Sequence, residues 1–232
     1  MHRAAELATP TAASPVTLAL RRLHREKGRA QEQAAPLTRK LVDQMLEASG
    51  TSLRDLRNRA LLAVAYDTLC RRAELVALHR RDLEVAPQGD GTIAVRRSKT
   101  DQEGAGAVAY LAPDTMPHLA TWLNAAKVTD GTLFRTVNRD GKVGAALSAG
   151  DVAVLFRGMA TAAGLKPAEV ARVSGHSSRV GAAQDMVRIG LELPAIMQSG
   201  RWKTAEMVAR YTRRLDARRS GAAKLAVAQD RA

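Results

Sequence analysis

Aromatic residues and cysteines are scarce in this chain of 232 residues. Because aromatics make up only 3% of the residues, a platform of rings that stack on nucleic-acid bases cannot be the main binding surface. The single cysteine, Cys70, excludes both an intramolecular disulfide framework and a zinc site built from cysteines. A lone thiol is typical of proteins from a reducing compartment, and we therefore expect a cytoplasmic protein.

Long apolar runs and common catalytic motifs are also lacking. No uninterrupted run approaches the roughly 20 apolar residues of a membrane span, and the N-terminal MHRAAELATP lacks the apolar core of a signal peptide. The five histidines are scattered without metal-ligand spacing, and the chain contains no Walker A, G-x-G-x-x-G or G-x-S-x-G sequence. We therefore expect no membrane partner, no metal and no cofactor.

Basic residues are plentiful by contrast. Lys and Arg total 36 against 23 Asp and Glu, which gives a formal net charge of +13. A strongly basic protein most often meets a polyanion, and nucleic acid is the usual one. The alternative is a basic surface that serves only solubility. Hydrophobic residues make up 46% of the chain, so a sizeable core can be buried.

Apolar spacing predicts an α+β fold that is mainly helical, with one small antiparallel sheet. A basic helix over 16–30 and a linker ending at Pro36 precede the remainder. Ser52 and Asp55 form a capping-box pattern before a helix with a strongly apolar stretch. Three short strands are expected at 82–85, 92–100 and 107–112. The other helices are predicted at about 38–48, 72–78, 113–127, 148–164, 178–190, 193–199, 204–217 and 221–229.

A set of residues that suit a phosphate group lies near the ends of the predicted elements. Each has an ordinary structural explanation: a helix-end arginine paired with Glu74, a solvated turn lysine, a helix cap, a core tryptophan or a core tyrosine. Taken singly, these explanations are the better ones. In chain order, the set is Arg71, Lys99, His176, Arg179, Trp202 and Tyr211.

Taken in order, the set resembles the tyrosine recombinases of the phage integrase family. The signature of that family is an arginine, a hairpin lysine, H-x-x-R, a His or Trp, and a nucleophilic tyrosine. The segments AYDTLCRRAEL, SGHSSRVGAAQDM and IMQSGRW carry the resemblance, which runs from about residue 16 to about 220. It implies the catalytic core of that family, a helical bundle with a small three-stranded antiparallel sheet.

The resemblance also implies a site-specific recombinase that cleaves and rejoins DNA through a 3′-phosphotyrosyl intermediate on Tyr211, without metal or ATP. Two guanidiniums, Arg71 and Arg179, would clamp the phosphate. His176 and Trp202 would donate hydrogen bonds to it, and His176 would also take the tyrosine proton. The remaining roles are protonation of the leaving 5′-oxygen by Lys99 and orientation of the first arginine by Glu74.

The expected partner is double-stranded DNA, held through backbone phosphates by Arg72, Arg97, Arg201 and Lys203. The family implies self-association on DNA, as a tetramer in synapsis, with a monomer in solution and a final helix that docks on a neighbouring protomer. Residues 1–35 resemble an arm, the last helix of a core-binding domain plus its linker, and residues 36–232 the catalytic domain.

Two other functions remain open from the sequence. The first is a DNA-binding accessory or regulatory protein that keeps the recombinase fold but has little activity. The second is strand relaxation of the type IB topoisomerase kind, which shares the tyrosine chemistry. Salt-dependent DNA binding without any covalent adduct would favour the first, and relaxation without a preferred site would favour the second.

Overall fold

The structure is a computed structural model that describes residues 13–27, 33–96, 106–218 and 220–231, with the side chains of 213–218 left out. The chain divides into two compact units, residues 1–33 and 34–232. The described part of the first unit contains helix α1 (Ser14–Lys27), which begins two residues before the predicted helix. None of its residues is buried, and apolar side chains such as Leu18 are exposed.

The second unit is mainly helical, which confirms the predicted fold class. Within the described ranges, no helix is long and apolar enough to cross a membrane. The helices are α2 (Arg39–Glu47), α3 (Leu53–Thr68), α4 (Arg72–Val76), α5 (Thr115–Ala125), α6 (Asp151–Ala162), α7 (Pro167–Ala171), α8 (Ser177–Arg188), α9 (Leu193–Gly200), α10 (Ala205–Arg218) and α11 (Gly221–Ala228).

Helix α3 is the centre of the core. The capping box predicted from the sequence is present: the Ser52 hydroxyl accepts a hydrogen bond from the Asp55 amide, and the Asp55 carboxylate accepts one from the Ser52 amide. Every residue of the helix from Ala60 to Ala65 is buried. A helix that is apolar on nearly all sides must be covered on all sides, and α3 packs against α5, α8, α2 and α6.

The predicted sheet is also present. Strands β1 (Leu83–Val85), β2 (Gly91–Val95) and β3 (Ala107–Leu111) pair antiparallel in the order β1-β2-β3. The expectation of a single sheet was wrong, because β4 (Arg135–Val137) and β5 (Val143–Ala146) form a second, two-stranded antiparallel sheet. Strands of three and four residues are too short to show the alternation from which a strand is predicted.

The chain that enters α2 lies directly against the start of α8. The Leu37 amide donates to the Ser177 carbonyl over 3.0 Å, and Leu37 itself is fully buried. Gly181 faces this segment so closely that a Cβ there would overlap the Leu37 carbonyl. The close approach therefore requires glycine at this turn of α8.

A half-buried carboxylate fixes α8 to two other helices. Asp185 accepts hydrogen bonds from the Tyr66 hydroxyl of α3 over 2.8 Å and from the Arg39 amide of α2 over 2.6 Å. Burial, together with the hydrogen bond to Asp185, raises the pKa of the Tyr66 hydroxyl well above its usual range. Tyr66 therefore stays a neutral donor, and α8 is held by bonds at both its first and its last turns.

Candidate active site

The candidate site forms where α3 ends. The chain leaves α3 through Leu69, whose φ of 48° lies in the left-handed region, and reaches Arg71 at the first turn of α4. The last carbonyls of a helix have no partner within it, so they can accept hydrogen bonds from elsewhere. Here the carbonyls of Thr68 and Leu69 accept from arginines far along the chain.

Arg179 lies inside the protein and is 1% exposed. Its guanidinium donates to the carbonyls of Leu69 and Gly200, and it lies over the Trp202 ring with Cζ 4.5 Å from the ring centroid. Burial, and next the positive charge of Arg71, lower the pKa of Arg179 to about 10. The residue therefore keeps its positive charge at neutral pH.

Glu74 joins two further guanidiniums. Its carboxylate accepts hydrogen bonds from Arg71 Nη1 over 2.6 Å, from the Arg71 amide over 3.0 Å and from Arg201 Nη2 over 3.0 Å. Burial is the largest single influence on the pKa of Glu74 and raises it, but the bonds from the two arginines together outweigh burial and lower it. Glu74 is therefore an ionised partner of both.

His176 immediately precedes α8 and is exposed. Its pKa is lowered, because protein atoms displace part of the water around the ring and because Arg179, Arg72 and Arg71 are positively charged. The lowered pKa favours, at neutral pH, the neutral imidazole that can accept a proton. The neighbouring Gly175 is buried, and a Cβ there would lie 3.1 Å from Arg72 Cβ.

Trp202 and Tyr211 form the other side of the site. Their ring centroids are 5.4 Å apart with a tilt of 41°, a geometry favourable for aromatic pairs. Trp202 is 4% exposed, and its buried Nε1 has no hydrogen-bond partner within the described part of the protein. Gly200 leaves room for this ring, since a Cβ there would overlap it. Tyr211 is half-buried on α10.

The structure thus brings together residues that are distant in sequence. The residues in this group are Arg71, Glu74, His176, Arg179, Trp202 and Tyr211. Lys99 and Arg97 lie outside the described residues. In the described ranges no three His, Cys, Asp or Glu side chains come together as a metal site would require.

The predicted DNA-contact residues differ in their surroundings. Arg72 and Lys203 are exposed, whereas the guanidinium of Arg201 points inward, to the carbonyls of Thr68 and Leu69 and to Glu74. Contact of these residues with DNA stays a prediction. The sequence indicates basic charge on both sides of Trp202, but nothing in it shows that the Arg201 side chain turns toward the end of α3.

Comparison with known proteins identifies the family. The model of the phage integrase family matches residues 36–218. The chain is 32% identical over 232 residues to the recombinase Cre of Escherichia phage P1, which covers 93% of this chain and 68% of that protein. It is 31% identical over 205 residues to an integrase/recombinase XerD homologue of Selenomonas ruminantium, covering 84% of this chain and 59% of that one.

Solved structures share the fold. The XerH site-specific recombinase, bound to a palindromic difH substrate in a post-cleavage complex, matches with a TM-score of 0.63 and 18% identity, over 82% of this chain and 54% of that chain. A lambda integrase dimer bound to a COC′ core site matches with a TM-score of 0.55 and 17% identity, over 83% and 55%. The chain thus spans between 54% and 68% of the lengths of these four relatives. The resemblance expected from the three sequence motifs is confirmed, and the chain belongs to the phage integrase family of site-specific DNA recombinases.

Proposed function

We propose that this chain cleaves and rejoins DNA at a specific site with Tyr211 as the nucleophile. The observation that supports this most strongly is the convergence of two arginines, a histidine, a tryptophan and a tyrosine at the end of α3. An ordinary helix end needs no such group. Arginines supply the positive charge that a metal provides in other phosphoryl-transfer enzymes, so the reaction requires neither metal nor ATP.

In the proposed reaction the Tyr211 oxygen attacks the phosphorus of a DNA phosphodiester. The bond from phosphorus to the 5′-oxygen breaks as the 3′-phosphotyrosyl bond forms. His176 takes the tyrosine proton, and Lys99 gives a proton to the leaving 5′-oxygen. In the reverse step a 5′-hydroxyl attacks the phosphotyrosine, so the energy of the broken bond is kept for rejoining.

Charge on the non-bridging oxygens grows in the transition state, and Arg71 and Arg179 are the groups that would stabilise it. Loss of one such preorganised donor commonly lowers the rate by about 10²–10³-fold. Trp202 is proposed as a further donor to the phosphate, because its Nε1 has no hydrogen-bond partner among the described residues. A buried donor without an acceptor costs about 1–3 kcal/mol, and a phosphate oxygen is a suitable acceptor, although an indole N–H cannot exchange protons in catalysis.

Double-stranded DNA is the proposed partner. The net charge of +13 and the exposed side chains of Arg72 and Lys203 suit contacts with backbone phosphates, and we extend this role to Arg97. We further propose that protomers assemble on DNA as a tetramer and separate in its absence. Helix α11 exposes Leu225 and Val227, which would dock on the next protomer. We also propose that the protein is cytoplasmic.

The domain boundary is proposed on the same basis. Residues 1–35 would be an arm that ends a core-binding domain, and residues 36–232 the catalytic domain. The division of the structure after residue 33 and the family match that begins at residue 36 support this boundary.

The test is covalent capture of DNA. The protein is mixed with a library of random duplexes that carry a nick, so that the short cleaved fragment diffuses away and the adduct accumulates. Adducts that survive denaturation are then recovered and sequenced, which also yields the target site. We expect adducts with the wild type and with Tyr110→Phe, a matched change at an exposed tyrosine of β3, and none with Tyr211→Phe.

Each other outcome selects a different conclusion. Adducts that persist in Tyr211→Phe place the nucleophile elsewhere. Salt-dependent binding of DNA without any adduct favours an accessory DNA-binding protein. Relaxation of supercoiled plasmid without a preferred site favours a topoisomerase-like enzyme.

A further inference from the structure

Arg201 has an unusual backbone conformation for its residue type. It ends α9 with φ 52° and ψ 45°, in the left-handed region. Residues with a Cβ are disfavoured there, whereas glycine adopts this region without strain. The conformation therefore persists because other interactions of the residue compensate for it.

Those interactions are made by the guanidinium. Its Nη1 donates to the Thr68 carbonyl over 3.0 Å, and its Nη2 lies 3.0 Å from Glu74 Oε2 and 3.4 Å from the Leu69 carbonyl. The Cys70 sulfur is 3.5 Å from the same Nη2. Only 14% of the side chain is exposed.

The two acceptors that matter most are the ones that hold other arginines. Glu74 also accepts from Arg71, and the Leu69 carbonyl also accepts from Arg179. Arg201 thus connects the partner of one guanidinium with the partner of the other. A planar fork of five donors can bridge a carboxylate and two carbonyls at once, which a lysine ammonium cannot do with the same geometry.

We propose that Arg201 is a positioning residue of the cleavage reaction, which fixes Arg71 and Arg179 relative to each other through Glu74 and the carbonyl of Leu69. The inference rests on the proposed function. It replaces the expected role of Arg201 as a phosphate contact, because a guanidinium that turned to DNA would leave Glu74 and the end of α3 without these bonds.

The decisive variant is Arg201→Gly. It removes the guanidinium but relieves the left-handed backbone, so the chain is expected to stay folded. With the captured duplex as substrate, we expect the rate of adduct formation at saturating DNA to fall by on the order of 10²-fold, as for a displacement of about 1 Å in an active site. DNA affinity and its dependence on salt should stay as in the wild type.

A matched control separates the side chain from the backbone. Lys127 is exposed and has φ 53°, nearly the same conformation, at the end of α5. Lys127→Gly relieves the same kind of strain far along the chain from the site residues, and it should leave the cleavage rate unchanged. Arg201→Lys keeps the positive charge without the fork, so its cleavage rate should remain below that of the wild type.

The outcomes distinguish this inference from the proposed function. If the wild type forms no adduct, the proposed function fails and the inference fails with it. If the wild type forms adducts and Arg201→Gly cleaves equally fast at saturating DNA, the inference alone is overturned. If Arg201 instead contacted a DNA phosphate, Arg201→Gly would weaken DNA binding and reduce the salt slope by about 0.9 for the lost contact. A cleavage rate in Arg201→Lys equal to that of the wild type would show that the positive charge alone is sufficient. That result too would overturn the inference that the guanidinium bridges Glu74 and the Leu69 carbonyl.

Discussion

At the scale of single residues, the surroundings of His176 govern when it can accept a proton. The displacement of water from around the ring is the largest cause of its lowered pKa; the positive charges of Arg179, Arg72 and Arg71 lower the pKa further, and Glu74 opposes them. The folded chain therefore binds this proton less readily than the unfolded chain. Between about pH 6.5, the ordinary histidine value, and the lower folded pKa, the free energy of unfolding falls as the pH falls.

The same shift predicts the pH profile of cleavage. If neutral His176 accepts the tyrosine proton, the rate of adduct formation should decline only below the ordinary histidine pKa of about 6.5. Arg72→Gln removes one of the positive neighbours, so the declining limb should move to higher pH. Single-turnover rates between pH 5 and 8, the range in which histidine titrates, measure both effects.

Lys203→Gln is the control for this experiment. It also removes one exposed positive charge, but Lys203 is not among the groups that shift the pKa of His176. Equal profiles for Arg72→Gln and the wild type would contradict the proton-accepting role of His176 in its present surroundings.

The site residues were predictable from the sequence to different degrees. The order Arg71, His176, Arg179, Trp202 and Tyr211 is visible in the chain, because a family motif preserves residue types and spacing. The inward turn of Arg201 was not visible. It depends on a backbone conformation that the residue type disfavours and on carbonyls that come into reach only when α3 and α9 have packed.

At the scale of elements, α8 is the helix that positions the site. His176 and Arg179 stand at its start, and Asp185 ties its last turns to α2 and α3. Between them, Gly181 permits backbone contact with the segment at Leu37. The start of α8 is therefore placed by a backbone contact, which cannot shift as a flexible side chain could.

Gly181→Ala tests this contact. The added methyl would overlap the Leu37 carbonyl, and we expect a loss of about 1–3 kcal/mol in the free energy of unfolding, as for overpacked cores. Urea unfolding measures it. Gly158→Ala in α6 is the matched control, because a Cβ there meets open space. Alanine is the better helix former, so that variant should gain about 0.5–1 kcal/mol. Similar stability changes in the two variants would contradict the close approach of Gly181 to the Leu37 carbonyl.

The elements themselves were predictable where a pattern was long enough. Apolar periodicity and the Ser52 capping box correctly indicated α3, and glycine-bounded apolar runs indicated the three-stranded sheet. Helix α7 and the sheet of β4 and β5 were missed. Elements of three to five residues show too little of either period, and their pairing depends on contacts with the rest of the fold.

At the scale of the whole molecule, the two units have different relations to the hydrophobic core. Helix α1 buries none of its residues, whereas the second unit contains the core from Leu37 onward. The boundary between them is sharp in sequence. The Ala35 amide already donates to the Arg172 carbonyl over 2.9 Å, which makes it part of the second unit.

We therefore expect two truncations that differ by five residues to have different effects on stability. Removal of residues 1–33 should leave the urea midpoint of the remaining chain unchanged, because none of the described residues in that stretch belongs to the core. Removal of residues 1–38 also deletes Leu37 and its bond to Ser177, and burial of a leucine contributes about 1.5–3 kcal/mol. The midpoint of the shorter chain should fall clearly. Equal midpoints would show that the core does not begin at Leu37.

The gathering of guanidiniums around Glu74 links folding to ligand binding. Arg71, Arg179 and Arg201 carry three positive charges and Glu74 carries one negative charge, so the folded chain concentrates mutual repulsion at this point. A phosphodiester that binds only the folded chain relieves that repulsion and adds RT ln(1 + [L]/Kd) to the free energy of unfolding. With DNA as the proposed partner, the stability of the folded chain would rise with the concentration of DNA around it.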